Sequence, residues 1–471
     1  MQKIIGREKE VKKLEELWLK KKSDFIAVYG RRRVGKTFLI RHALAEKITF
    51  HLTGIAAAPM SHQLANFYAA LARCTGDQAA FSPASDWRTA FNQLSQWLEK
   101  SHPNQKKVVF LDELPWLDTR NANFLNALEH FWNHWASART DIMLIVCGSA
   151  AAWMLNHLIR NKGGLHNRIT ERMRIEPFTL RECEVYFQDK NAILDRYQLV
   201  QLYMALGGIP FYLDRVNPAM SAMQNINELC FGSGVFFREE YNNLYASLFS
   251  KAERHTAVIE ALAKKGKGLT REEIIKATGL ANAGSTTRII KELEESNFVR
   301  AYRPFGNGTK KALFQLVDLY SLFYLKFIRP AAPDDDKYWL QMGDNPTYRA
   351  WSGYAFEMVC LHHAHQIKDA LGIAGVQTNI GAWRTADAQV DLVIDRRDHV
   401  INLCEMKYAM HTFTINSAYA QELRQKMERF ATATNTRKAV VLTMITTYGL
   451  APNTHAALVQ KTLTMDALFG A

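Results

Sequence analysis

The chain has 471 residues, 48% of them hydrophobic and 22% charged, and its 59 lysines and arginines against 46 aspartates and glutamates leave a formal net charge of +13. That is length for about three domains of ordinary globular composition, which excludes collagen-like, low-complexity and disulfide-stapled classes; the basic balance suits a polyanionic partner without requiring one. The six cysteines lack any CxxC pair, and no apolar run is long enough to cross a membrane, so the expectation is a soluble, cytoplasmic protein with no membrane partner.

In chain order, residues 4–19 (IIGREKEVKKLEELWL) predict a tight turn at Gly6 and a helix with Val11, Leu14, Leu17 and Trp18 on its apolar face. Next comes FIAVYGRRRVGKTFLIRHAL, Phe25 to Leu44. An apolar strand ends at Gly30, and Gly30, Arg31, Arg32, Arg33, Val34, Gly35, Lys36 and Thr37 spell GxxxxGKT before an amphipathic run. Glycines let successive backbone N–H groups curl around a polyphosphate, and the following helix points its positive end at the same charge. Lys36 is expected to reach the β and γ phosphates of ATP, and the Thr37 hydroxyl to ligate Mg²⁺.

A short strand, KITFHLTG, precedes helices carrying Phe67, Leu71, Phe91, Leu94 and Trp97. KKVVFLDELPWLD then supplies a continuous apolar strand ending in Asp112 and Glu113. Acids at the C-terminal end of a buried parallel strand lie where such sheets bind ligands, which suits Asp112 for holding Mg²⁺ through water and Glu113 for polarising the attacking water. DIMLIVCGSA is a further strand ending at Ser149, either a γ-phosphate sensor or a satisfied strand-end serine.

GRRRVGKT, FLDELPWL, CGSA, NRIT and LGGIPFYL, in this order over about residues 1–215, resemble the archaeal-type ATPase family in the STAND branch of AAA+-related P-loop proteins. The resemblance implies an arginine finger at Arg168, with Arg172 and Arg174 as rivals, and a homo-oligomer if that finger acts in trans. It also implies adenine contacts from the GRE segment and from a GxP, here Gly208 and Pro210. Packing of the first helix and a plain helix-breaking turn account for the last two equally well.

The domains expected are a P-loop ATPase over 1–180, a helical lid over 181–248, a winged helix over 249–328, a linker over 329–344 and a C-terminal domain over 345–471. In the winged helix, Thr270 and Glu273 predict a capping box, Gly279 a stop, and Ile289, Ile290 and Leu293 the inward face of a second helix. Thr286, Thr287, Arg288 and Lys291, with Lys310 and Lys311 on the hairpin turning at Gly306 to Thr309, are the candidate DNA contacts.

In the last domain, WSGYAFEMVCLHHAHQI predicts a helix carrying Glu357, and AQVDLVID and VINLCEMKYA predict strands around the turn RRDH. Centring that turn between Arg397 and Asp398 sets Asp391 opposite Cys404, while Glu405 and Lys407 share a face. Asp391, Glu405 and the Met406 carbonyl offer hard oxygens for Mg²⁺, and Lys407 can orient or deprotonate a water attacking a phosphodiester. His362, His363 and His365 are expected on a solvated surface. The set Glu357, Asp391 and Glu405-x-Lys407, followed by a helix with Gln421 and Lys426, resembles the PD-(D/E)XK nuclease fold, with Val390 where the name has proline; Gln389 is a further polar candidate. The resulting expectation is an α/β chain: a P-loop NTPase with parallel sheet, helical lid and winged helix, joined to a restriction-endonuclease-like α/β domain. Its activity would be an ATP- and Mg²⁺-dependent switch, cycling between ATP and ADP, that gates cleavage of DNA or RNA, DNA being favoured. The rivals are a signalling or scaffold ATPase and a DNA-binding regulator, each with a silent nuclease-like domain.

Overall fold

The computed structural model describes residues 3–470 except 78–79, 102–104, 161–162, 166, 233, 306–311, 344 and 386. The backbone divides into two units, Met1–Glu176 and Pro177–Ala471.

In the first unit, β1 (Asp24–Tyr29), β2 (Ile48–Thr53), β3 (Lys107–Asp112), β4 (Ile142–Gly148) and β5 (Glu171–Arg174) form a parallel sheet in the order β2-β3-β4-β1-β5. The three central strands, β3, β4 and β1, are buried almost throughout because both faces are covered, whereas the edge strands β2 and β5 are partly exposed. Phe25, Ala27, Leu144 and Val146 join a core with Phe67, Leu71, Trp87, Phe91 and Leu128, while Ile26, Val28, Phe110 and Ile145 are equally inaccessible. The helix Glu8–Leu19 buries Leu14 and Leu17, and the helix Lys36–Ala43 buries Leu39 and Ile40. Since β4 lies between β1 and β3, the loops leaving those two strands flank its end. Tyr29 pairs with Gly148 and Leu111 with Val146, so the strands finish nearly level.

The second unit begins with helices Leu180–Asp189, Arg196–Leu206, Ala222–Cys230 and Phe236–Leu248. Reciprocal capping boxes start two of them, Thr179 with Glu182 and Ser221 with Gln224, and the Thr270–Glu273 box starts the later helix Arg271–Thr278. Helices Ala252–Ala263, Arg271–Thr278 and Gly284–Glu295 are followed by a hairpin of β6 (Val299–Tyr302) and β7 (Leu313–Leu316). The turn of this hairpin, with Lys310 and Lys311, lies outside the described residues. The segment expected to be a linker is firmly packed: Trp339 is 1% exposed among Phe231, Phe323, Phe327 and Trp351. Arg238 also donates to the carbonyls of Ile328, Ala331 and Ala332. A Pro- and Asp-rich string reads as a linker only until its aromatic pair, Tyr338 and Trp339, finds a core.

The last sheet has the order β12-β11-β10-β9-β8, from β8 (Thr378–Arg384), β9 (Gln389–Arg396), β10 (Val400–Lys407), β11 (Ala439–Thr446) and β12 (Lys461–Thr464). β8, β9 and β10 are antiparallel; β10, β11 and β12 run parallel. The β9–β10 register differs by one residue from the expected one: Cys404 faces Leu392, which brings Asp391 level with Glu405. The cause is the turn 397–399, which ends on His399 in the left-handed region (φ 64°) and so holds one residue more than a two-residue turn.

At the end of the first sheet opposite the loops, where β3 and β4 begin, the Asp141 carboxylate takes two bonds from Arg139 (2.7 and 2.8 Å) and one from the buried Lys107 ammonium (2.6 Å). Those bonds, Arg139 first, hold its carboxyl down to about 2. A carboxyl depressed in the folded state contributes stability above its unfolded value near 4, and that stability is lost as pH falls toward 2. Asp141→Asn is therefore expected to lower unfolding free energy by about 2 kcal/mol at pH 7. In urea titrations, its difference from wild type should shrink between pH 5 and 2.

Candidate functional site

The loop after β1 is built on backbone geometry that only certain residues adopt. Gly30 has φ 151°, and a Cβ there would lie 2.2 Å from the Ile175 carbonyl oxygen; Gly35 has φ 87°. Arg33 adopts φ 73° without being glycine, a strained turn of the kind that gathers at binding loops. Arg7 of the GRE segment braces the loop, donating to the carbonyls of Val34 (3.3 Å) and Glu176 (2.7 Å). Lys36 is 4% exposed and donates to the carbonyls of Gly30 (3.0 Å) and Arg31 (2.8 Å). Burial pulls its pKa down, opposed by the nearby charges of Glu113 and Asp112.

Across β4, the Thr37 hydroxyl donates to Asp112 Oδ2 at 2.9 Å, and the Glu113 N–H to Asp112 Oδ1 at 3.0 Å. Burial raises the Asp112 pKa. Glu113 sits at φ 49°, which turns its side chain toward β4, where Ser149 donates from its hydroxyl (2.7 Å) and its N–H (3.3 Å). Ser149 is thus tied to an acid, a pairing that strand-by-strand reading has no means of finding. Arg168 is exposed on the stretch before β5 and does not join this cluster. Pro210 belongs to the second unit, where it opens the short helix Pro210–Leu213. Its neighbour Gly208 is required by packing, since a Cβ would meet the Phe178 carbonyl at 1.9 Å.

The second cluster lies in the last sheet. Glu357 on the helix Pro346–His362, Asp391 on β9, Glu405 and Lys407 on β10, and Lys426 on the helix Ser417–Thr434 line one cavity of about 850 Å³. The β8–β9 pairing slips between Gly381 and Trp383, a bulge at the level of Asp391 of the sort that re-aims a side chain. Lys426 Nζ bonds Glu405 Oε1 at 2.7 Å, Tyr419 donates to its other oxygen at 3.4 Å, and Lys407 Nζ sits 4.7 Å over the Tyr419 ring. Gln389 bonds Asp391. Burial, then the charges of Asp391 and Glu405, push the Glu357 carboxyl up to about 8. The three acids thus lie near enough to raise one another's cost of ionising. Among the described residues, no three or more His, Cys, Asp or Glu side chains form a ready-made ion site. The donor set is two carboxylates and a backbone carbonyl, which fits an ion that keeps most of its water. Gln421 is exposed and does not line the cavity.

Two expectations are corrected. Thr286 is 1% exposed and its hydroxyl donates to the Ala281 carbonyl at 2.7 Å, so it faces inward and cannot meet a ligand. Thr287 accepts from Arg271 (2.9 Å), Arg288 pairs with Glu292 (2.9 Å) and Lys291 approaches Glu295 at 4.0 Å. The histidines also divide. His362 and His365 are exposed, but His363 is 1% exposed, donates from Nδ1 to Val359, and accepts the Leu180 N–H at Nε2 (2.9 Å). The helix breaks at His363, and that break turns the ring inward.

The first unit is a P-loop ATPase domain. Residues 4–216 match the family described as an ATPase domain predominantly from Archaea. The chain is 24% identical over 394 residues to an uncharacterized protein of Methanocaldococcus jannaschii, covering 83% of this chain and 84% of that one. It is 46% identical over 44 residues to an uncharacterized ATP-binding protein of the same organism, 9% of this chain and 75% of that protein. Among solved structures it is similar to the Walker-type ATPase of Pyrococcus abyssi, at 16% identity and TM-score 0.48 over 69% of this chain and 96% of that one. The ORC2 protein of Aeropyrum pernix, solved in ADPNP–ADP complexes, is similar at 14% identity and TM-score 0.40, over 69% and 93%. No helix among the described residues is long and apolar enough to cross a membrane.

Removing the ammonium that faces Glu405 leaves a carboxylate 9% exposed without its cation. Lys426→Met is expected to cost about 3 kcal/mol in urea unfolding, the penalty of an orphaned buried charge. A variant as stable as wild type would mean that Glu405 is solvated.

Proposed function

We propose that the chain is a Mg²⁺-dependent ATP-hydrolysing switch whose last sheet is a PD-(D/E)XK nuclease-like domain that cleaves nucleic acid, DNA in preference to RNA. The first half rests on the Thr37–Asp112 bond: a hydroxyl and a carboxylate 2.9 Å apart, beside the buried Lys36, are the hard oxygens that a Mg²⁺-nucleotide needs. Bound there, Mg²⁺ would neutralise charge on the β and γ phosphates. Lys36 exchanges its two carbonyl partners for phosphate oxygens. Glu113 orients and accepts a proton from the attacking water once its carboxylate leaves Ser149, which then faces the γ-phosphate. Arg168 acts from a second copy of the chain, and Pro210 contributes to the base contact. The three helices and hairpin form a winged helix, and ATP occupancy gates the nuclease-like cavity.

The second half rests on one arrangement: Glu357, Asp391, Glu405 and Lys407 share a cavity, with the two strand acids level across a hairpin. Asp391, Glu405 and the Met406 carbonyl would hold a divalent ion, which would polarise the scissile phosphate. Lys407 positions the attacking water, and Lys426 gives up Glu405 to that ion. The Lys426–Glu405 bond also favours a second reading, a scaffold or regulatory ATPase with a silent nuclease-like domain, because it fills the place the ion would take.

Lys36→Ala is expected to abolish ATP binding, whereas Glu113→Gln retains binding and lowers kcat about 10²-fold or more, measured by nucleotide titration and phosphate release. In plasmid nicking with Mg²⁺ or Mn²⁺, with and without ATP, wild type should cut and Glu405→Gln and Lys407→Ala should not. Intact plasmid with wild type under every condition, alongside normal ATP turnover, establishes the silent-domain reading.

A further inference from the structure

Beside the acidic cavity lies a second one, of about 490 Å³, lined by Lys264, Lys326 and Arg329 with Leu322, Trp351 and Tyr354. The two cavities share Gly266, Ala350 and Tyr354, so they adjoin across a single wall. That wall is built by the turn between the first two helices of the three-helix unit. Tyr354 (3.0 Å) and Gln315 (2.7 Å) both donate to the Gly266 carbonyl, and Tyr302 donates to the Lys267 carbonyl (2.7 Å). The hairpin is itself bonded to the last sheet, Phe305 N–H to the Ala382 carbonyl at 2.7 Å, with Phe305 stacked on Phe430. The three-helix unit is therefore part of the cavity, and it presents this turn there.

The rim of the first cavity is positive in balance. Glu357, Asp391 and Glu405 lie inward in the first cavity with Lys407 and Lys426, whereas its exposed lining carries Lys267, Arg349, Arg384 and Arg429 against Asp387 and Glu422 and so has a positive balance. The exposed cations continue past the wall with Lys264 and Lys326, while Arg329 is pinned to Glu260 at 2.9 Å. A row of exposed cations leading to sunken acids fits a chain of phosphates, one of which reaches the acids. On the helix Gly284–Glu295, by contrast, Arg288 and Lys291 each face an acid one turn on.

We infer that a single-stranded stretch of nucleic acid lies across the Gly266 wall, its backbone held by Lys264, Lys267 and Lys326, and feeds one phosphate into the Glu357–Asp391–Glu405 cavity. This rests on the proposed nuclease reading. Single-stranded substrate is favoured over duplex by size: a cavity of about 850 Å³ is room for one or two nucleotides, in the range that holds a small ligand. Tyr354, half-buried at the wall, is an aromatic surface of the type that bases stack on without sequence preference.

The test is fluorescence anisotropy with the full chain in EDTA, which removes cleavage, using a labelled oligothymidine of about 20 nucleotides and a blunt duplex of equal length. Wild type should bind the single strand about tenfold more tightly than the duplex. Lys264→Ala/Lys326→Ala should weaken single-strand binding about tenfold and reduce the slope of log affinity against log salt by about 1.4, the release expected for two phosphate contacts. Lys21→Ala/Lys22→Ala, which removes equal charge from the first unit, should bind as wild type does; circular-dichroism melting confirms that each variant is folded. Equal loss in both double variants, or none in Lys264→Ala/Lys326→Ala, overturns the track while leaving plasmid nicking intact. Equal affinity for the duplex overturns the single-strand assignment. No binding of either probe by wild type removes the nuclease reading itself, and the track with it.

Discussion

A carboxylate survives inside a packed sheet only when something hydrogen-bonding or positive faces it, and both units are arranged around that requirement. Asp112 meets it with the Thr37 hydroxyl and the next residue's N–H, Glu113 with Ser149, and Glu405 with Lys426 and Tyr419. Each partner is also a group that a phosphate or a cation would displace or recruit. In the proposed reading, the bonds that satisfy these acids without ligand are the ones a ligand exchanges. The acids stand at strand ends and on a cavity lining rather than in the middle of either sheet.

How much of this was legible in the sequence depended on how local the cause was. The phosphate loop needs two glycines, a lysine and a helix start within one short string, and Asp112 needs only to end an apolar strand. The Thr270–Glu273 box and the Gly279 stop are likewise statements about one turn of helix. By contrast, Lys426 reaches Glu405 only because the helix Ser417–Thr434 packs on the sheet, and Ser149 reaches Glu113 only because Glu113 takes a left-handed backbone. No spacing rule carries either fact.

The misreadings have the same origin. Thr286 sits on a helix face that alternation alone leaves ambiguous, and its hydroxyl is consumed by Ala281. His363 looks like its neighbours until the helix breaks beneath it. Trp339, in a stretch otherwise fit for a spacer, joins an aromatic core assembled from residues about 100 positions apart in the chain. In each case, a long-range contact overrode a local composition signal.

The turn 397–399 and the bulge facing Ala382 together decide which way Asp391 looks. Side chains on a strand alternate, so losing a single codon from that turn would rotate the whole of β9 relative to β10. Every signature string would still be spelled as before, and a comparison of motifs would score the two chains alike. Under the proposed reading, descendants of this sequence can therefore fall silent through indels in a surface turn, and hairpin length would tell them apart sooner than missing acids.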